Sequence, residues 1–268
     1  METNHHLTCS FASLLRTNRI DPSSFSTVQN QIGGRSGKMV SPAVRFSIIP
    51  LIRGGAAAVT VLVLVWAVHF RGGLALISEN KDLIFNVHPV LMVIGFIHLN
   101  TEAILAFKTM PGTKSFKKTV HLSIQFLGLC LGLIGAWAAL KFHNDKGIDN
   151  FYSLHSWLGI ACLLLFSIQW AVGFATFWYS GGSRNSRVTL LPWHVFFGAY
   201  IYALIVVTAT TGLLEKATFL QTNKTISRYS NEAFLINFLG IFLVLLGGLV
   251  ILLIITPQSP ATVLQRKL

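Results

Sequence analysis

Charge, acid and cysteine are all scarce in this chain, and each scarcity removes a class of protein. Only 11% of the 268 residues are charged, against roughly 25% in a soluble domain, which excludes an ordinary water-soluble globule. The three cysteines, Cys9, Cys130 and Cys162, show neither a disulfide framework nor zinc-ligand spacing. Cys130 and Cys162 fall inside apolar runs and read as small core residues. No flavin or nicotinamide fingerprint is present, so any redox partner must be small and act directly. The first 50 residues hold no apolar stretch resembling a signal-peptide core.

What the chain has instead is hydrocarbon-length apolar sequence. Six runs, about 54–70, 84–107, 119–141, 154–179, 191–213 and 234–255, each approach the roughly 20 residues that span a bilayer. None carries Asp, Glu, Lys or Arg in its middle third. The fold class that follows is an all-α membrane protein of six transmembrane helices. Connections rich in turn residues (Pro111-Gly112, Asn144-Asp145 with Gly147, Gly181-Gly182) make successive spans antiparallel neighbours. Spans two to five are expected to form a four-helix bundle, with spans one and six on its flank.

A net charge of +12 would suggest nucleic acid if it were clustered on one soluble face. It is not, and no nucleic-acid partner is expected. Fourteen of the 21 Lys and Arg lie in the N-terminal segment, the loops after spans two and four, and the C-terminal tail. By the positive-inside rule this bias puts both termini in the cytosol. Six of the nine acids lie on the opposite side. Asn223-Lys224-Thr225, a lone glycosylation tripeptide, falls there as well.

Three domains follow: a tail over 1–50, the membrane domain over 51–256, and a cytosolic C-terminal tail over 257–268. The first tail is rich in Ser, Thr, Asn and Arg, with Glu2 and Asp21 its only acids. A disordered cytosolic tail, an organelle transit segment and translation from Met39 all fit that composition.

Four histidines carry the chemistry. His88, His121, His155 and His194 each sit within about a turn of the start of a successive apolar run. Alternating helix direction then pairs His88 with His155 on the outer face and His121 with His194 on the cytosolic face. A histidine inside a span is costly and points to function. Four, two by two, are what two bis-imidazole haem sites require. Ligation by two imidazoles leaves no open iron position and suits electron transfer. The levels should lie roughly 20 Å apart along the membrane normal. Glycines at i+4 or i+7 (Gly95, Gly128, Gly159 and Gly198, with Gly132 and Gly135 further along) are expected to let a flat macrocycle approach the backbone. His98, about 280° round the helix from His88, is expected to make a buried hydrogen bond, and His69 to lie at the interface.

The segments FNVHPVLM (85–92), KKTVHL (117–122), YSLHSWLG (152–159) and LLPWHVFFG (190–198) resemble the four haem-ligand signatures of the cytochrome b561 family. RGGLAL (71–76) and EAFLINF (232–238) extend the resemblance over about residues 50–256, and RGGLAL is similar to the plant branch. The resemblance implies six helices, two haem b groups with the pairing given above, and electron transfer from cytosolic ascorbate to monodehydroascorbate or a ferric chelate. It assigns no side chain a catalytic acid, base or nucleophile.

It also implies substrate sites. Lys114, Lys118 and Arg187 match family positions associated with ascorbate, an anion that a basic cluster would concentrate. His143, Asn144 and Tyr152 match the outer substrate pocket, and Arg71 is expected to help hold the acceptor there. Homodimers are frequent in the family, though no residue argument requires one. An endomembrane such as the vacuolar membrane is the expected location, with plasma membrane and plastid as alternatives. Two rival functions are a proton-coupled or metal transporter, which calls for ionisable groups or broken helices in mid-span, and a structural haem subunit without substrates of its own.

Overall fold

A bilayer offers backbone amides no water, so the apolar runs satisfy themselves as helices. The computed structural model describes residues 48–179 and 183–256. Within them run six helices long and apolar enough to cross a membrane: α1 (Ile48–Phe70), α2 (Lys81–Thr109), α3 (Lys114–Lys146), α4 (Leu154–Trp178), α5 (Arg184–Thr222) and α6 (Asn231–Ile255). No strand occurs among the described residues. The protein is an integral, multi-pass membrane protein. The expected tails, Cys9 and the Gly181-Gly182 turn lie outside the described residues, except that 48–50 already belong to α1.

Five of the six helices open on a polar cap. The side chains of Asn80, Thr113, Ser153, Ser183 and Ser230 each accept a hydrogen bond from a first-turn amide. Gly147, at φ 67°, ends α3 in the left-handed conformation. The caps of α3 and α5, Thr113 and Ser183, lie six and eight residues ahead of their apolar runs, so these two helices outlast hydrocarbon. α5 has 39 residues where the apolar run covers 191–213, a length of about 58 Å at about 1.5 Å per residue. Hydrocarbon is only about 30 Å thick. The polar ends of α3 and α5 therefore stand clear of it at both faces and supply site walls.

The bundle closes as α2 on α3, α3 on α4, α4 on α5, and α5 back on the middle of α2, while α6 packs on α1 and α5. Glycine governs the α2–α3 contact. A Cβ on Gly95 would come within 2.8 Å of the Gly128 carbonyl oxygen, and the reverse holds too. A Cβ on Gly132 would meet the Phe96 ring at 2.5 Å. Gly95, Gly128 and Gly132 thus serve close helix approach rather than the cofactor clearance expected of them. Deep in the core, Tyr202 and Thr101 share a 2.7 Å hydrogen bond. Cys162 is buried, and His98 finds Thr60 at 2.9 Å.

Sequence periodicity gives no hint of three wider helical segments, closed by hydrogen bonds between residues five apart, at Trp66–Phe70, Val93–Leu99 and Phe174–Trp178. The one in α2 follows Pro89, whose ring removes an amide donor from the ladder. Such segments frequently accompany functional sites, and here Pro89 directly follows His88.

Candidate haem and substrate sites

The four histidines meet in two pairs. The His88 and His155 rings lie 5.9 Å apart between centroids, at 83°. Those of His121 and His194 lie 6.3 Å apart, at 69°. Three of the four rings are oriented by a backbone carbonyl. His88 Nδ1 is 3.0 Å from Gly135 O, His121 Nδ1 is 2.9 Å from Ala103 O, and His155 Nδ1 is 2.9 Å from Thr208 O. A carbonyl only accepts, so each of these Nδ1 atoms carries the proton and leaves Nε2 with a free lone pair.

His194 is held differently. Its own carbonyl accepts from Gln169 Nε2 at 2.7 Å, and its ring packs at 3.0 Å from where a Cβ on Gly173 would stand. The matching glycine for His155 is Gly212, whose added Cβ would lie 2.6 Å from the ring. These two glycines, not those following the histidines in sequence, are the ones that give the rings their room. Helical spacing within one span could not have found them, because each lies on the neighbouring helix.

The donor chemistry fits haem. Two imidazoles on opposite sides of one metal ion, each about 2 Å from it, would hold their ring centres about 6 Å apart, as both pairs do. Among the described residues no group of three or more His, Cys, Asp or Glu could hold a metal ion by itself. A pair of imidazoles needs a cofactor that brings its own equatorial donors, and a porphyrin does. The outer pair also borders a cavity of 1040 Å³, ample for a group of that size.

The outer cavity draws on all six helices and the loops at their outer ends. The α1–α2 loop bends through Gly72 (φ 82°) and Gly73 (φ 115°), and the buried Asn86 ties it down by donating to Arg71 O and Gly73 O. Arg71 lines the cavity, but its guanidinium is ion-paired with the buried Glu232, which also accepts from Trp66 Nε1 at 2.9 Å. His143 and Tyr152 line the same cavity. Asn144 is one step removed: its Oδ1 accepts from Asn150 Nδ2 at 2.8 Å, and Asn150 is the lining residue. The Tyr152 hydroxyl donates to Glu215 at 3.4 Å. Partial burial first, and the Glu215 carboxylate second, push its phenol above the usual range. Lys216, Glu215 and Asn150 also line the cavity, and no spacing from a histidine within their own segments singles them out in the sequence.

On the opposite face, Lys114 and Lys118 stand in the first turns of α3, ahead of His121. Arg187 stands in the first turn of α5, ahead of His194. Lys118 Nζ donates to Phe177 O at 3.3 Å, bridging α3 to the end of α4. Phe177 in turn packs edge-on to the His194 ring at 5.3 Å. Lys114 and Arg187 are exposed. Glu102, at this end of α2, is paired with Arg53 of α1 at 3.0 Å.

Known proteins converge on this arrangement. A family model described as eukaryotic cytochrome b561 matches residues 87–220, the stretch that contains all four paired histidines. The chain is 63% identical, over 80% of its length and 93% of the relative's, to transmembrane ascorbate ferrireductase 2 of Arabidopsis thaliana. It is 49% identical to a probable ascorbate-specific transmembrane electron transporter 2 of Oryza sativa subsp. japonica, over 75% of this chain and 86% of that one. A transmembrane ascorbate-dependent reductase of Pongo abelii is 38% identical over 69% and 73%. The chain belongs to the eukaryotic cytochrome b561 family, whose cofactor is haem b.

Proposed function

We propose that the protein is an oxidoreductase that passes single electrons from cytosolic ascorbate across the membrane to monodehydroascorbate or a ferric chelate. In this reading His88 and His155 hold one haem b, and His121 and His194 hold a second. The observation that carries it is the pairing of four histidines at two levels of one bundle, at ring separations of 5.9 and 6.3 Å. The names of the relatives, ascorbate ferrireductase and ascorbate-specific electron transporter, support the donor and the reaction class.

His88 with His155 and His121 with His194 would hold the haems, each of which would supply a one-electron couple. The chain's own groups do the rest. Carbonyls of Gly135, Ala103 and Thr208 fix three imidazole tautomers and so present Nε2. Lys114, Lys118 and Arg187 draw in the ascorbate monoanion and hold it near His121 and His194. Oxidising ascorbate by one electron releases one proton, which leaves to cytosolic water at this exposed face. On the far side His143, Asn144 through Asn150, Tyr152 and Arg71 shape the acceptor's berth. Apolar helix walls between the two levels exclude water and keep electrons from stray acceptors.

The electron-transfer unit spans 51–256, with 1–50 and 257–268 as cytosolic tails. Both termini face the cytosol by the charge bias, and the vacuolar or another endomembrane is the location favoured over plasma membrane or plastid. Homodimerisation enters this reading from the family resemblance alone. Purified protein should bind two haems per chain, most of them reduced by ascorbate and reoxidised by ferric citrate, as read by optical titration. A colourless protein would end the redox reading and favour a transporter.

A further inference from the structure

The outer cavity contains a lysine that, among the described residues, forms no ion pair. Lys216 lines it and lies on the same stripe of α5 as Thr208 and Gly212, at i+8 and i+4 from them. Thr208 O orients the His155 ring, and Gly212 makes room for that ring. Lys216 is therefore one helical turn beyond His155's seat, towards the outer mouth. Its ammonium sits 4.0 Å from the centroid of the Phe85 ring, and Phe85 is 6.0 Å from the His88 ring. The ammonium is thus placed over the approach to both histidines of the outer pair.

Lysines near a membrane surface usually run out to water. This one folds inward over an aromatic face, which offsets only part of the cost of desolvating it. Among the described residues no carboxylate lies within 4.0 Å of its Nζ. Asp82 and Glu232 act on it only through space, and the carboxylates around it have closer partners. Glu215 accepts from Tyr152, Glu232 pairs with Arg71, and Asp82 pairs with Lys146. A second donor in the same cavity is also unanswered: Arg71 Nε is buried and has no hydrogen-bond partner. An ammonium without a carboxylate and a guanidinium N–H without an acceptor, lining one cavity, call for an anion with more than one acceptor oxygen, such as a carboxylate.

We propose that Lys216, assisted by Arg71 Nε, is a carboxylate-binding group of the outer cavity, beside the His88–His155 pair. This rests on the electron-transfer reading above. The carboxylate has two chemical sources: an acid side arm of the haem itself, or an anionic acceptor such as a ferric carboxylate chelate. In either case Lys216 acts by position and charge, and no bond is made or broken at it.

The test uses full-length Lys216→Met and Lys216→Arg protein with haem bound, Lys216→Gln standing in if the Met variant fails to fold. Redox titration without acceptor comes first, the outer haem being identified as the one lost in His155→Ala. If the carboxylate is the haem's own, Lys216→Met lowers the midpoint potential of the outer haem alone, because a positive charge favours the reduced form. Lys216→Arg restores it. If the carboxylate is the acceptor's, both potentials stay put and KM for ferric citrate rises about tenfold. Unchanged potentials together with an unchanged KM overturn the proposal. Wild-type protein without haem would instead sink the reading on which it rests, and the haem count of the same preparation separates the two failures.

Discussion

The two histidine pairs share a spacing but not a setting. The outer pair has both rings oriented by carbonyls, Gly135 for His88 and Thr208 for His155. It opens on a cavity whose charges are organised, with Arg71 on Glu232, Tyr152 on Glu215 and Lys146 on Asp82. The inner pair has only His121 oriented in this way, while His194 is placed by its backbone and by Phe177. Its entrance carries basic residues on two helix ends, Lys114 and Lys118 on α3 and Arg187 on α5. The difference teaches that the same ligand geometry can be set in two kinds of mouth. In the proposed function the outer one serves as a shaped recess for the acceptor and the inner one as a charged landing for ascorbate.

Deleting one ligand at a time tests the shared half of that comparison and should have the largest effect. His155→Ala is expected to remove the outer haem and leave the inner one reducible by ascorbate. His194→Ala should remove the inner haem and with it rapid ascorbate reduction of the outer one. Haem per chain should fall by half in each variant, and the optical spectrum should show which half remains. Loss of both haems from either single variant would mean that the two levels do not bind independently.

A smaller effect separates the two mouths. Replacing both Lys118 and Arg187 by Ala should raise KM for ascorbate several-fold, and added salt should weaken ascorbate binding in the wild type more than in the variant. KM for the acceptor should not move. Equal changes on both faces would show that the basic residues act through helix packing rather than charge, since Lys118 also ties α3 to Phe177 O.

Much of this architecture was legible in the chain because hydrocarbon imposes its length on sequence. Six runs became six helices, and alternation of direction was enough to place His88 beside His155 and His121 beside His194. Helix ends were less legible, because α3 and α5 continue past the apolar run on polar residues capped by Thr113, Ser183 and Gly147. Glycine was misread for a related reason. A helical stripe shows which residues share a face, but not whether the neighbour is a cofactor or another helix, and for Gly95 and Gly128 it is another helix. Gly173, Gly212 and Lys216 owe their importance to histidines or aromatics on other helices. No spacing within their own spans could have signalled that.

The smallest effect concerns the rim of the outer cavity. Tyr152 is half-exposed and donates to Glu215, and partial burial together with that carboxylate disfavours its phenolate. Its pKa in the folded protein therefore lies above the ordinary phenol value near 10. The sign follows from which form the fold penalises. Below about pH 10 both folded and unfolded chains hold the proton, and Tyr152 adds no pH dependence to stability. Above it the unfolded chain loses the proton first, so the fold loses stability as pH climbs towards the raised value. Across the physiological range the hydroxyl stays a donor, and outer-face activity should owe none of its pH dependence to this residue. Ultraviolet titration of phenolate should show a late-titrating component in the wild type that loses one tyrosine's amplitude in Tyr152→Phe, with acceptor KM changed less than threefold, the scale of one exposed hydrogen bond. An early-titrating Tyr152 would mean that the cavity mouth is more positive than its pairing with Glu215 allows, and would move the outer face closer in character to the inner one.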